Sequence, residues 1–271
     1  MTHTGEMDRH VHAWMRADVA EGTEVALLIA PSDAPLGAES VTVSSRGQEH
    51  PVREIRDARG NRMHLISGLP EGPLEISYTA GGVTPAAIAP VDPVDHAVFL
   101  RPSRYCEVDE FANIAAEIVG EREGHERLAA VVDWVHDHLD YVPGASTVTD
   151  SARSTYLSRE GVCRDYAHLT ATLLRASGIP ARCVAVYAPG LTPMDFHLVV
   201  EALLNDRWCV VDATHMAPRS SMVRIATGQD AADTAFMTTL TGNVQLTGMQ
   251  VSAVVDPQLP VERPAETLSL R

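Results

Sequence analysis

Aromatic residues are scarce in this chain, at 5% of the total, so its core must rest on Val, Leu, Ile and Ala. Long apolar runs are missing as well. No stretch approaches the roughly eighteen consecutive apolar residues of a membrane span, so no membrane partner is expected. Met1 to Val19 holds no apolar core of secretory-signal length, because His and Asp interrupt it early. The four cysteines (Cys106, Cys163, Cys183 and Cys209) lie far apart without CxxC spacing. That argues against a zinc ribbon or a disulfide scaffold and suits a reducing cytoplasm. Positive charge is short: 21 Lys and Arg stand against 36 Asp and Glu, a net charge of −15. Nucleic acid and anionic membrane surfaces are therefore poor partners. No EF-hand loop or HExxH pattern is present, so no metal or other cofactor is expected. There is no internal repeat, and composition is silent on oligomeric state.

What remains is an ordinary globular composition, 45% hydrophobic and 21% charged over 271 residues, enough for one large domain or two modest ones. Residues 1–97 read as a β-rich N-terminal domain. Short runs at Glu24–Ala30, Glu39–Ser45, Arg53–Asp57, Met63–Ile66 and Leu74–Tyr78 are separated by turn signals, which predicts a small β-sandwich. Gly81-Gly82 and the Pro85–Pro93 stretch read as the linker out of it. His3, His10 and His12 resemble metal ligands only superficially; in so polar an end they are expected to be solvated.

From Val98 the pattern turns helical. Phe111, Ile114, Ala115 and Ile118 keep one face, and Leu128, Val131, Val132, Val135 and Leu139 keep another. His136 and His138, two apart on a helix, diverge and fit a solvated face better than a metal site. Pro143–Thr149 is a loop, and Ser151–Arg159 a short helix leading to Gly161.

Gly161-Val162-Cys163-Arg164-Asp165-Tyr166-Ala167-His168-Leu169 is the stretch around which the chain is organised. Tyr166, Leu169, Leu173 and Ala176 continue as a helical stripe, and Gly178 with Pro180 ends it. Cys163 then sits in the first turn of a helix, where free N–H groups and the dipole favour a thiolate, the form that acts as a nucleophile. A buried structural thiol is the plainer alternative.

Downstream, Phe196–Leu204 and Arg207–Thr214 flank Asn205-Asp206, a hairpin signal. With a two-residue loop, Leu204 pairs with Arg207 and Val199 with Asp212, so His197 and Asp212 become diagonal neighbours on one face, with Glu201 one step nearer the turn. Cysteine, histidine and aspartate in that arrangement suit a nucleophile, a base and an orienter. Phe236–Thr241 and Leu246–Val255 read as two further strands joined at Gly242-Asn243.

Gly161 to Ala167, Asp195-Phe196-His197 with Glu201, and Trp208 with Val211-Asp212-Ala213-Thr214 resemble the three core motifs of the transglutaminase-like superfamily, closest to its short bacterial members. The resemblance covers residues 98 to 255. It implies an α+β fold: a papain-like, transglutaminase-type core with helices packed on an antiparallel sheet, at residues 98–256, after the β-sandwich-like domain and before a loose tail at 257–271. It implies Cys163, His197 and Asp212 as the catalytic residues of acyl transfer through a thioester on an amide of a peptide or protein. Hydrolysis is the expected outcome. Amine transfer, with Asp195 receiving a cationic acceptor, is the runner-up, and a silent binding module keeping the fold is the third reading. The backbone N–H of Cys163 is the natural oxyanion donor; Tyr141 and Tyr156 are candidates for the second. Asp165 and His168 shape the site or simply pack. The loop from Ala188 to Asp195 is expected to rim the cleft and carries no aromatic residue to wall it.

Overall fold

The structure, a computed structural model, describes residues 7–32, 34–263 and 266–271, so His3 lies outside the described residues. Seven strands come first: β1 (Asp8–Val19), β2 (Thr23–Leu27), β3 (Ala38–Ser45), β4 (Gln48–Glu49), β5 (Arg53–Arg56), β6 (Arg62–Leu69) and β7 (Gly72–Val83). In β1, Val11, Ala13, Met15, Ala17 and Val19 are buried while His10, Arg16 and Asp18 face out, the period-two pattern of a strand with one face on a core. Sequence reading treats these residues as a polar chain end, because small apolar residues alternate there with His and Arg. His10 is exposed beside Asp8, and His12 is partly exposed on the same outward face.

The chain then passes through α1 (Asp95–Val98), α2 (Ala112–Val119), α3 (Gly124–His138), β8 (Asp140–Tyr141), α4 (Ala152–Ser158) and β9 (Glu160–Gly161) to α5 (Cys163–Ala176). It continues as β10 (Ala181–Tyr187), β11 (Phe196–Leu204), β12 (Arg207–Val211), β13 (Val223–Gly228), α6 (Ala231–Thr234), β14 (Met237–Thr241) and β15 (Val244–Asp256). The architecture is α+β, as expected. Helix α5 packs on an antiparallel sheet of order β12-β11-β10-β13. Leu169, Leu173 and Leu174 of α5 are fully buried against it, each worth roughly 1.5–3 kcal/mol by removal from water. Gly178, at φ 85°, ends α5, and the N–H of Ile179 closes back on the carbonyl of Leu174 at 2.9 Å.

The last two strands do not join that sheet. β15 pairs along β1 in a five-stranded sheet of order β15-β1-β7-β3-β4, and β14 pairs with β2 in a four-stranded sheet of order β14-β2-β6-β5. The β-rich part thus contains residues from both ends of the chain. Alternation in the sequence shows that Leu246–Val255 is a strand; it holds no information on which edge receives it. The tail also docks, where sequence suggests looseness. The carbonyl of Leu268 accepts the N–H of Val210 at 2.8 Å, Ser269 Oγ donates to the carbonyl of Trp208 at 2.6 Å, and Leu270 is buried. These contacts use backbone groups that the edge of β12 would otherwise leave open.

Buried bonds tie the two parts together. Arg9 of β1, itself 1% exposed, donates to the carbonyls of Ser220 and Ser221 at 3.1 Å each. Asn61 exchanges two bonds with the backbone of Thr227 on β13 at 2.8 and 2.9 Å. Tyr187 on β10 donates to the carbonyl of Ile29 at 2.7 Å.

Candidate active site

Cys163 stands at the first position of α5 because of two neighbours. Val162 precedes the helix in an extended conformation, and Asp165 Oδ2 accepts its N–H at 2.9 Å. That carboxylate folds back so closely that a Cβ on Gly161 would lie 2.5 Å from Asp165 Cβ. Gly161 is therefore required by close approach. Burial pushes the Asp165 carboxyl up, against the Val162 hydrogen bond that lowers it. Cys163 is partly exposed, unlike the other three thiols, which are buried.

His197 and Asp212 meet through the hairpin. Asn205 and Asp206 both take positive φ, 51° and 53°, giving the primed two-residue turn that matches strand twist. The register runs from Leu204↔Arg207 to Val200↔Val211, so Asp212 follows next, level with Val199. His197 Nε2 lies 2.8 Å from Asp212 Oδ2, and both side chains are almost wholly buried. Asp212 Oδ1 accepts from the N–H and the hydroxyl of Thr214 at 2.9 and 2.8 Å. Burial alone would lower the imidazolium, but the Asp212 carboxylate and then the Cys163 thiol outweigh it and push His197 up to about 10. Burial would raise Asp212, and the His197 charge with the Thr214 hydrogen bonds holds it below its ordinary value. His197 Nδ1 is buried and makes no other close hydrogen bond, leaving that edge of the ring to the thiol.

Of the two tyrosines, only Tyr141 reaches the cysteine. Parallel pairing of β8 with β9 sets Tyr141 against Gly161. Burial and then the charge of Cys163 push its phenol up to about 12, while a hydrogen bond from the Cys163 backbone opposes them. Tyr156 instead packs edge-on to Phe111 and stacks on Trp134, at centroid distances of 5.6 and 6.0 Å. Glu201, on the expected face, is held between Arg182 and Arg224 at 2.7 Å each. Burial alone would raise it, but the two guanidinium charges hold it down at about 2. His168 is fully buried, stacks on Tyr105 and accepts the N–H of Ala231 at 3.1 Å; burial drives it down to about 3, so it is a neutral packing residue. His136 bonds through Nδ1 to the carbonyl of Ala213 at 2.8 Å, which braces the turn after Asp212. His138 stacks on Trp134 at 4.3 Å. Among the described residues, no group of His, Cys, Asp or Glu is arranged to hold a metal. No helix there is long and apolar enough to cross a membrane.

Cys163 and His197 open into a cleft of about 560 Å³. Leu28, Phe236, Met237 and Met249, from the β-rich part and the segment leading into β14, form its far wall. Sequence reading missed this wall, because those residues lie far from the motifs. Asp195 lines the cleft as expected, whereas Leu191 of the preceding loop is buried in a separate apolar cluster.

Residues 112–213 match the family model described as the transglutaminase-like superfamily, a span that holds Cys163, His197 and Asp212. That span, a little over a third of the chain, is similar to the transglutaminase-like core. A solved structure described as a candidate cysteine protease from Cytophaga hutchinsonii is 29% identical, with a TM-score of 0.89 over 99% of both chains. Among curated relatives, an uncharacterized protein of Mycobacterium leprae is 36% identical over 89 residues, 32% of this chain and 32% of its own length. One of Mycobacterium tuberculosis is 31% identical over 90 residues, 33% of this chain and 26% of its own length. The chain thus spans about a third or less of the curated relatives it matches.

Proposed function

We propose that this protein hydrolyses amide or peptide bonds through a thioester on Cys163. The observation that carries the reading is the imidazole of His197, bound to Asp212 by Nε2 and left by its Nδ1 edge to the cysteine at the start of α5. The thiolate sulfur attacks the carbonyl carbon, and the carbonyl electron pair moves to oxygen. The N–H of Cys163 and the hydroxyl of Tyr141 receive that oxyanion; a phenol carries its proton at neutral pH, and burial pushes this one further up. As the adduct collapses, the C–N bond breaks and imidazolium Nδ1 gives its proton to the leaving amine. Neutral Nδ1 then takes a proton from water, whose oxygen attacks the thioester and releases acid and thiolate. Asp212 fixes the ring and stabilises its charge throughout.

The likeness to the Cytophaga hutchinsonii structure supports proteolysis over crosslinking. Cys163 and His197 side by side on one cleft, with buried Asp212 bonded to the imidazole, favour an enzyme over a silent binding module. Four free thiols suit the reducing cytoplasm. Amine transfer is the second reading. Asp195 favours it, since that cleft carboxylate accepts the N–H of its own neighbour Phe196 at 2.7 Å and could receive an ammonium group.

The test is to follow a peptide amide to free acid or to N-substituted amide as a primary amine is added. All 21 Lys-plus-Arg positions are arginine, so the chain offers no lysine of its own as acceptor, and the N-substituted amide is identified by the mass of the added amine. Free acid should dominate at low-millimolar amine and vanish in Cys163→Ala. Amide as the main product would overturn hydrolysis; acid formation that survives in Cys163→Ala would overturn the nucleophile.

A further inference from the structure

The cleft beside Cys163 sorts its lining by who is already engaged. Most of its polar side chains are engaged within the protein, Asp195 being the exposed exception. Arg164 donates to the carbonyls of Thr147 and Val148 at 2.8 and 3.1 Å and lies 4.5 Å over the Tyr105 ring. Thr234 donates to the carbonyl of Asp230 at 3.2 Å. The apolar side chains are less covered. Phe236, Met237 and Met249 are only half-buried, and the Phe196 ring stacks on Phe236 at 5.2 Å to extend the wall. Half-exposed apolar groups gathered around a nucleophile are surface that a substrate can remove from water. A carboxamide such as that of glutamine, placed against Phe236, Met237 and Met249, would exchange water for apolar groups that offer it no hydrogen bond.

We propose that the substrate carries a bulky apolar side chain, of phenylalanine, leucine or methionine size, next to the amide that is cleaved, and that this side chain lies against Phe236, Met237 and Met249. The volume of about 560 Å³ has room for it. The β-rich part is then a specificity element, since it supplies Met237 and Met249 to a cleft whose reacting groups belong to the transglutaminase-like core. The proposal rests on Cys163 being the nucleophile, and its test separates the two.

Alkylation rates of Cys163 are compared for iodoacetamide and N-phenethyl iodoacetamide, each divided by its rate with glutathione. The expected ratio favours the phenethyl reagent by about tenfold or more, the advantage of one buried apolar side chain. In Met249→Glu the ratio should fall toward one, and an N-(2-aminoethyl) reagent should gain on the phenethyl reagent, a change of preference that mere loosening of the fold would not produce. Met237→Ser, with circular dichroism on both variants, serves if Met249→Glu fails to fold, and should lower the ratio in the same direction. Equal normalised rates in the wild type would overturn the apolar pocket and leave the nucleophile standing. A high ratio untouched by either variant would overturn its location. Iodoacetamide sparing Cys163 would remove both readings.

Discussion

Replacing Asp212 by Asn tests the pair at the centre of the site. His197 is raised from an ordinary 6.5 to about 10. A raised pKa contributes stability that is complete below about 6.5 and is lost as pH climbs from there through about 10. At pH 7 the ring is about three units below its folded value, which at about 1.4 kcal/mol per unit amounts to roughly 4 kcal/mol. Asp212 is the largest favourable cause and the Cys163 thiol the next, so Asp212 accounts for most of that figure. In Asp212→Asn the buried ring has lost its counter-ion and sheds its proton, so the loss at pH 7 should be a few kcal/mol and not more than about 4. Urea unfolding from pH 6 to 10 reads this directly. The wild type should lose stability steadily across the interval, and the variant should be nearly flat. Turnover should fall by about three to four orders of magnitude, as when a triad loses its orienting carboxylate. The alkaline limb of the pH–rate profile should move down from near 10. Adding His197→Ala to the variant should cost far less than the sum of the single losses. A variant that kept the wild-type slope and limb would refute Asp212 as the counter-ion, and additive losses would refute the coupling.

Limiting iodoacetamide near neutral pH should label Cys163 first, since burial pushes Cys106, Cys183 and Cys209 up; equal labelling of any of them, read by peptide mapping, would contradict this. Gly161→Ala should cost about 1–3 kcal/mol and lower turnover more than stability implies, because the new Cβ meets Asp165 at 2.5 Å and displaces the residue that sets Cys163; an unshifted melting temperature with full activity would count against that reading. Tyr141→Phe should lower kcat by about 10²–10³ with little change in KM, the pattern of a lost oxyanion donor; steady-state kinetics on a peptide amide decides. Glu201→Gln should destabilise by about 3 kcal/mol or more at pH 7, since it leaves Arg182 and Arg224 buried against a neutral group. Glu201 is depressed to about 2, so its contribution is present above about 4.5 and lost as pH falls toward 2; the gap between the two unfolding curves should close over that interval.

The parts of this molecule legible in its sequence are those fixed by local rules. Gly161 before Cys163, the Gly178 stop and the Asn205-Asp206 turn each impose a conformation on their own neighbours, and the register that joins His197 to Asp212 follows from the turn by counting. Strand β1 hid because its outward residues are as polar as a chain end and its inward ones are mostly small. The partners of β14 and β15 hid because alternation marks a strand without naming its edge. The apolar wall hid for the same reason: Leu28 and Met249 are more than two hundred positions apart and meet only through the sheets. Of the two tyrosines considered, the strand pair β8–β9 separates Tyr141 from Tyr156, and no spacing rule contains that pairing.

The pairing of β1 with β15 bears on how the molecule is made. Val11 faces Ala253, about 240 residues later, so the first strand leaves the ribosome long before its neighbour exists. Until then one of its edges is open to pairing with any extended segment nearby, a hazard that lasts for the whole time the transglutaminase-like core is being synthesised. A nascent chain of this kind should fold slowly, be limited by that final closure, and depend on chaperones more than its stability when complete would suggest.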